Sequence, residues 1–156
     1  MSIKNNFNIN PDEQAYIAKI CFCTMIRIAS RKITKAYDDA LRDSGLRISQ
    51  FALLATLKFD GNSTLTDMAD LLGLDRTTLT RNIRPLIRRG LIAVRSGNDK
   101  RRRILVLTED GSEVLEMALP QWREIQNQIS KILGQENKEA LTNSLNLSVN
   151  AKINIQ

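Results

Sequence analysis

Apolar residues recur at every third or fourth position along most of the chain, which is the spacing of amphipathic helices. This spacing predicts a first long helix from Asp12 to about Arg42 and a second from about Ile48 to Phe59. A third helix opens at Thr64, because Thr64 and Asp67 have the spacing of a capping box. Gly73 ends this third helix.

A fourth helix follows after a short turn and has one apolar and one cationic face. Asp75 is its expected N-cap, and Gly90 ends it. At 100° per residue, leucine and isoleucine side chains cluster on one side and threonine and arginine side chains point away from it. The apolar set is Leu79, Ile83, Leu86 and Ile87, and the opposite set is Thr77, Thr78, Arg81, Arg84 and Arg88. Pro85 lacks an amide hydrogen, so we expect a kink or an irregular last turn there.

Two β-branched and leucine-rich runs come next, at 91–95 and 103–107, joined by the polar and cationic "SGNDKRR". This pattern predicts a β-hairpin. Thr108 then caps a long helix, and Pro120 bends that helix without splitting it, because the apolar spacing continues on both sides. The last predicted helix covers Gln135 to about Ile153.

These elements predict a mainly α fold with a small β-hairpin wing. Within a single domain, 1–156, residues 48–108 form a winged helix-turn-helix DNA-binding lobe. Residues 12–45 and 109–156 form a helical dimerisation region, because their long apolar helices exceed what so small a lobe can cover. Aromatic residues are only 4% of the chain and charged residues 26%, which is typical of helix-rich proteins.

The apolar runs and the polar start "MSIKNNFNIN" bear on location. No run reaches the roughly 20 residues that a membrane-spanning helix requires, and the start does not resemble a secretory signal. We therefore expect a cytoplasmic protein with no membrane partner.

The net charge of +6 is unevenly placed. The segment 75–103 holds ten Lys and Arg against two Asp, whereas the rest of the chain holds 13 basic and 15 acidic residues. A merely basic surface would scatter its charges, so this concentration indicates a polyanion partner.

The cationic helix fits the major groove of double-stranded DNA, which is about 12 Å wide and admits one helix. Small hydroxyls allow close approach, and arginines reach guanine edges or, more often, the phosphate backbone. Arg76 is less favourably placed, because it lies toward the packed side of the helix. The candidate contacts from these two helices are Thr64, Arg76, Thr77, Thr78, Thr80, Arg81 and Arg84.

Three stretches resemble the MarR family of bacterial winged-helix transcription regulators in order and spacing: "GLRISQFALLATL", "LTDMADLLGLDRTTLTRNIRPLIRRGLI" and "DKRRRILVLTEDG". The resemblance covers about Tyr16 to Leu133. It implies a homodimer in which the first helix and the last two interlock. It also implies an Asp-x-Arg wing, matched by Asp99 and Arg101, whose arginine enters the minor groove while the aspartate steadies it. Arg102 and Arg103 add charge nearby, with a strand-edge position as the alternative for Arg103, and Lys100 and Arg102 are further candidate DNA contacts.

Two copies of this lobe predict the form of the operator. A twofold dimer places its recognition helices about one DNA turn, roughly 34 Å, apart and favours an inverted repeat.

Two cysteines, Cys21 and Cys23, lie two positions apart on the first predicted helix. On a regular helix they point about 200° apart, so they cannot bond each other or share a metal ion. The chain has no histidine, and we expect no metal and no cofactor.

A thiol signal is nevertheless one hypothesis for regulation. "SRKITKAY" resembles the peroxide-sensing OhrR branch of the same family, and that register places Cys23 on the reactive cysteine and Tyr37 on a tyrosine that bonds it. Arg27 replaces the second tyrosine of that branch, and a nearby guanidinium lowers a thiol pKa. The alternative is that both cysteines are small buried residues at a dimer interface.

A small-molecule inducer is the other hypothesis. Family members hold such ligands in a cleft between the dimer helices and the DNA-binding lobe, and Arg27, Arg31, Tyr37, Phe51 or Trp122 are candidates to line it. Such aromatic side chains more often belong to the core.

The leading interpretation is a sequence-specific regulator of double-stranded DNA, acting as a repressor, with a non-specific architectural DNA-binding protein as the alternative. Single-strand binders stack bases on aromatic side chains, and the segment 75–103 has none. General acid-base catalysis most often uses histidine, and no Gly-rich phosphate loop or nucleophile motif occurs, so we expect no enzyme.

Overall fold

The computed structural model describes residues 11–96 and 103–151, which form seven α-helices, a 3-10 helix and three strands. In chain order these are α1 (Pro11–Ile20), α2 (Phe22–Ala40), the 3-10 helix (Arg42–Ser44), α3 (Ile48–Asp60), β1 (Ser63–Thr64), α4 (Leu65–Leu71), α5 (Arg76–Arg88), β2 (Ile92–Ser96), β3 (Arg103–Leu107), α6 (Glu109–Leu133) and α7 (Gln135–Asn150). The predicted fold, mainly helical with a small hairpin, is confirmed. The chain divides into two compact units, Met1–Ala36 and Tyr37–Gln156.

The prediction of one long first helix is wrong, because the helix is broken at Cys21. The Cys21 carbonyl accepts the amide of Met25 at 2.9 Å, and its thiol is hydrogen bonded to the hydroxyl and the amide of Thr24. Cys21 thus occupies the N-cap position of α2. Cysteine is not among the preferred N-cap residues, so the residue pattern does not indicate this break.

The three strands form one antiparallel sheet in the order β1-β3-β2. The predicted hairpin is confirmed, with Ile92 opposite Leu107 and Ser96 opposite Arg103. β1 was not predicted, because a strand of two residues is too short to show an alternating pattern. It pairs with β3 through Thr64 and Ile104.

The core lies in the second unit, between α3, α4, α5, the sheet and the first half of α6. Leu53, Leu54 and Leu79 are completely buried there. Phe51 is buried and stacks on Trp122, with ring centroids 5.7 Å apart. Phe51 therefore belongs to the core, and the partly buried Trp122 packs against it.

The last two helices have apolar residues that the described part of the chain leaves exposed. α6 continues through Pro120, as predicted, and α7 ends at Asn150, before the predicted end. Ile132 is 83% exposed and Val149 82% exposed. In the described part of the chain, none of the helices combines the length and the apolar character needed to cross a membrane.

The start of α6 packs tightly against the start of the hairpin. Thr108 caps α6 by accepting the amide of Gly111 at 3.0 Å, and its hydroxyl donates to the carbonyl oxygen of Gly90 at 2.7 Å. Gly111 is buried, and a Cβ atom at that position would overlap the carbonyl oxygen of Leu91. This close approach fixes α6 next to the wing.

Candidate nucleic-acid interface

α4 and α5 form the helix-turn-helix, joined by a turn of four residues. The predicted capping box is confirmed, since Thr64 Oγ1 accepts the Asp67 amide at 3.2 Å and Asp67 Oδ2 accepts the Thr64 amide at 3.3 Å. Gly73, with φ of +60°, closes α4, and the amide of Leu74 bonds to the carbonyl of Ala69 at 2.9 Å. These local bonds set where α5 begins.

Asp75 is the N-cap of α5, as predicted. Its Oδ1 accepts the amide of Thr78 at 2.8 Å, and its Oδ2 accepts the Thr78 hydroxyl at 2.6 Å. The Thr78 hydroxyl, followed by the Thr78 amide, lowers the pKa of the Asp75 carboxyl. A carboxylate here also suits the positive end of the helix.

The two faces of α5 are separated largely as the spacing predicts, although Ile87 and Thr78 are both only partly buried. Leu79, Ile83 and Leu86 are buried in the core. The exposed residues of the helix are Arg76, Thr77, Arg81, Arg84 and Arg88. The expectation that Arg76 lies toward the packed side is wrong, because Arg76 is exposed.

α5 continues past Pro85 to Arg88. Its end is tightened, since the amide of Gly90 bonds to the carbonyl of Ile87 at 3.0 Å. The amide of Leu91 also bonds to the carbonyl of Leu86 at 2.9 Å, and Gly90 has φ of +74°, so this tightening is a glycine helix cap. The kink or irregular last turn expected of Pro85 stays a prediction.

The three threonines of α5 differ in what their hydroxyls already bind. The Thr78 hydroxyl donates to Asp75, and the Thr80 hydroxyl donates to the carbonyl oxygen of Arg76 at 2.7 Å. Among the residues that the structure describes, Thr77 Oγ1 has no hydrogen-bond partner. Thr77 can therefore donate to and accept from a ligand, whereas the other two hydroxyls can only accept unless an internal bond breaks.

The arginines of α5 are not ion-paired in the described part of the chain. Within 11–96 and 103–151, Arg76, Arg81, Arg84 and Arg88 form no ion pair. They border an open concave surface together with Thr77, Thr80, Pro85 and Ile87. Unpaired guanidinium groups on an open surface bind phosphate oxygens and guanine edges well.

The described strands of the wing contribute further positive charge. Arg95 and Arg103 are exposed, and they lie on neighbouring antiparallel strands. The residues predicted to contact DNA from the tip, Asp99, Lys100, Arg101 and Arg102, lie outside the described residues.

Thr64 has two structural roles in addition to its predicted contact with DNA. Its hydroxyl donates to Asp67 Oδ2 at 2.7 Å. Thr64 also pairs with Ile104 as part of the sheet. The Thr64 amide is already bonded to Asp67, so a phosphate at this helix end would meet the next amides, from Leu65 onward.

The residues considered for sensing lie in different surroundings. Cys23 is exposed and Cys21 is partly buried, and hydrogen bonds from the Thr24 hydroxyl and amide lower the pKa of the Cys21 thiol. Arg27 and Arg31 are exposed.

Tyr37 lies against α6. Its hydroxyl donates to Gln126 Oε1, and burial raises the pKa of the phenol. No group of His, Cys, Asp and Glu side chains suited to a metal ion occurs among the described residues.

Comparisons with known proteins agree with this geometry. The sequence model of the MarR family matches residues 44–102. The organic hydroperoxide resistance transcriptional regulator of Bacillus subtilis is 33% identical over 98 residues, which are 62% of this chain and 67% of that protein. The family match covers nearly all of the cationic segment 75–103, and the relative is a transcriptional regulator.

Two solved structures resemble the fold. The M. tuberculosis transcriptional regulator MosR in complex with DNA is 35% identical with a TM-score of 0.71, over 84% of this chain and 99% of that one. Bordetella bronchiseptica BpsR, whose DNA binding is regulated by 6-hydroxynicotinic acid, is 25% identical with a TM-score of 0.77, over 84% and 94%. These similarities confirm the prediction that the chain is a DNA-binding regulator. The chain belongs to the MarR family of transcription regulators.

Proposed function

We propose that the chain is a repressor that binds an inverted-repeat operator as a homodimer and is released by a chemical signal. The observation that carries this proposal is the exposed face of α5, where four arginines without ion pairs in the described chain share one concave surface with Thr77. That face matches a major groove in charge and in its small side chains at the first turn.

Phosphate and base contacts divide between the residues of this face. The arginines position the helix on the phosphate backbone of the DNA. Arg81 and Arg84 are also long enough to reach base edges from the middle of α5. Thr77 lies in the first turn, where recognition helices meet bases, and its hydroxyl can bond either a donor or an acceptor on a base edge. Thr78 instead stabilises the start of the helix through Asp75.

Exposed apolar side chains on the terminal helices support the homodimer. In α7, Leu147 is 74% and Val149 is 82% exposed, and in α2, Phe22 is 84% exposed. A second copy of the chain would cover these side chains, because the terminal helices of both copies carry them.

A substitution in the wing tests the proposed contact with DNA. Arg101→Ala should weaken operator binding by roughly 1–3 kcal/mol while the protein stays folded. Arg123→Ala, which removes an exposed arginine from α6 outside the cationic segment, is the matched control and should bind like the parent. The measurement is fluorescence anisotropy with an operator selected from random duplexes, over a series of salt concentrations.

Selection and salt dependence separate this proposal from an architectural role. A regulator selects a symmetric consensus, and its log affinity falls steeply with log salt, by about 0.9 per phosphate contact. Recovery of random duplexes without a consensus would favour the architectural alternative. A DNA affinity that does not change with salt would contradict the electrostatic basis of both the regulator and the architectural protein.

Thiol oxidation is the signal that the described residues favour. Cys23 is exposed, and the hydrogen bonds of Cys21 stabilise its thiolate, which is the reactive form. Peroxide should release the parent protein from DNA, and Cys21→Ser and Cys23→Ser identify the thiol that reacts. If the variant lacking both cysteines is still released, the signal is not thiol oxidation, and a small-molecule inducer becomes the better hypothesis.

A further inference from the structure

Two neighbouring arginines at the end of α5 have different surroundings. Arg88 is exposed and has no partner among the described residues. Arg89 Nη1 donates to the carbonyl oxygen of Gly45 at 2.7 Å, 44 positions earlier in the chain. We infer that Arg89 is a positioning residue, which holds the recognition helix against the turn that follows α2 and on which operator-selective binding depends.

The turn that accepts this bond is itself well fixed. The amide of Gly45 bonds to the carbonyl of Arg42 at 2.9 Å, and the hydroxyl of Ser44 donates to the carbonyl of Leu41 at 2.7 Å. Leu41 and Leu46, on either side of the turn, are 0% and 3% exposed. A charged donor bonded to so constrained a carbonyl has little freedom to shift.

A glycine suits the acceptor position for two reasons. Gly45 has φ of +67°, a conformation that residues with a Cβ atom rarely adopt. A Cβ atom at Gly45 would also lie 3.4 Å from Arg89 Nη2, so the guanidinium lies directly over the glycine. The turn therefore presents an open backbone surface to Arg89.

The same turn is bonded to the last turn of α2. Asp38 Oδ1 accepts the amide of Ile48, the first residue of α3, at 2.8 Å. Asp38 Oδ2 lies 3.6 Å from Arg47 Nη1. Residues 41–47 thus connect the end of α2, the start of α3 and, through Arg89, the end of α5.

Helix orientation and charge contribute differently to DNA binding. Non-specific affinity depends mainly on how many phosphates are neutralised. Base readout depends on the direction in which the first turn of α5 points, because hydrogen bonds to base edges tolerate little misplacement. A residue that sets only the orientation should change selectivity and leave the salt dependence unchanged.

The inference rests on the DNA binding proposed above. Two substitutions that each remove one positive charge test it. Arg89→Met removes the donor and the charge, and Arg88→Met removes the same charge without affecting the bond to Gly45. We expect Arg89→Met to lower the ratio of operator to non-specific affinity about tenfold relative to Arg88→Met, the effect of one charge-assisted hydrogen bond. Arg89→Lys, which retains a donor, should recover most of this ratio.

Amide hydrogen exchange gives a second measurement that needs no DNA. Arg89→Met should speed exchange in both the last turn of α5 and residues 41–47, and Arg88→Met should change neither. Unchanged exchange in Arg89→Met, or a lower salt slope than in Arg88→Met, would overturn the inference. If the parent protein selects no operator, the proposed function fails, while exchange still decides the role of Arg89.

Discussion

Neighbouring residues of the same type at the recognition helix have different roles. Thr77 and Thr78 are adjacent and chemically identical, yet one has an unbonded hydroxyl in the described structure and the other is bonded to Asp75. Arg88 and Arg89 differ in the same way, because the partner of Arg89 is Gly45, 44 positions away. A local pattern predicts a cap three residues away but not a partner supplied by tertiary folding.

The cap of the recognition helix makes stability depend on pH. The pKa of Asp75 is lowered in the folded protein by its bonds to Thr78, so its stabilising effect is present above the unfolded pKa of about 3.9 and is lost as pH falls through the folded value. Asp75→Ala should lower the free energy of unfolding at neutral pH, and its difference from the parent should shrink in acid. Urea denaturation over a pH series measures this.

Asp75→Asn is the matched control for the charge. Asparagine is an equally good N-cap but does not titrate, so this variant should keep most of the stability without that pH dependence. An Asp75→Ala difference that stays constant down to strongly acid pH would show that the carboxylate is not the stabilising form.

At the scale of the elements, most of the fold could be predicted because its signals are local. The capping residues Thr64, Asp75 and Thr108 each lie next to the helix they start, and all three are confirmed. The break at Cys21 and the strand β1 were missed for physical reasons. A thiol rarely caps a helix, and β1 exists only because β3 supplies its hydrogen bonds.

The candidate site was predictable to a similar extent. The spacing identifies most of the exposed face of α5, but Arg76 is exposed against expectation and Thr78 is half-buried. The wing-tip contacts remain predictions.

The packing of α6 against the wing gives a prediction for this pair of elements. Gly111→Ala places a methyl group against the carbonyl oxygen of Leu91, and because backbone cannot move aside cheaply, we expect a loss of about 1–3 kcal/mol in the free energy of unfolding. Chemical denaturation measures it. Glu113→Ala, an exposed position two residues later in α6, should cost far less. Equal losses in the two variants would mean that the close contact with Leu91 is relieved without strain.

At the scale of the whole molecule, charge and apolar surface occupy different parts of the chain. Ten of the 23 basic residues lie within 75–103, whereas apolar side chains are exposed on the helices at both ends. One part of the chain suits a polyanion and the other suits a second copy of the protein. In the proposed dimer, the terminal helices would fix the spacing of two cationic helices, so assembly and operator selection would be linked.

Introducing charge into the apolar face of α7 should therefore disrupt the dimer. Leu145→Glu combined with Val149→Glu should raise the dimer dissociation constant at least about a hundredfold, because a carboxylate buried without a partner costs several kcal/mol. Sedimentation equilibrium measures the dissociation constant. Leu71→Glu, at an exposed leucine in α4, is the matched control and should stay dimeric.

Operator binding should be lost together with the dimer. A monomer presents one recognition helix to one half-site, so the doubly substituted protein should retain weak, non-specific DNA binding and lose the preference for an inverted repeat. Its thermal midpoint should also stop rising with protein concentration, because unfolding of a monomer does not depend on mass action. A parent protein that sediments as a monomer, or a doubly substituted protein that keeps the parent's dissociation constant, would show that these helices have another partner.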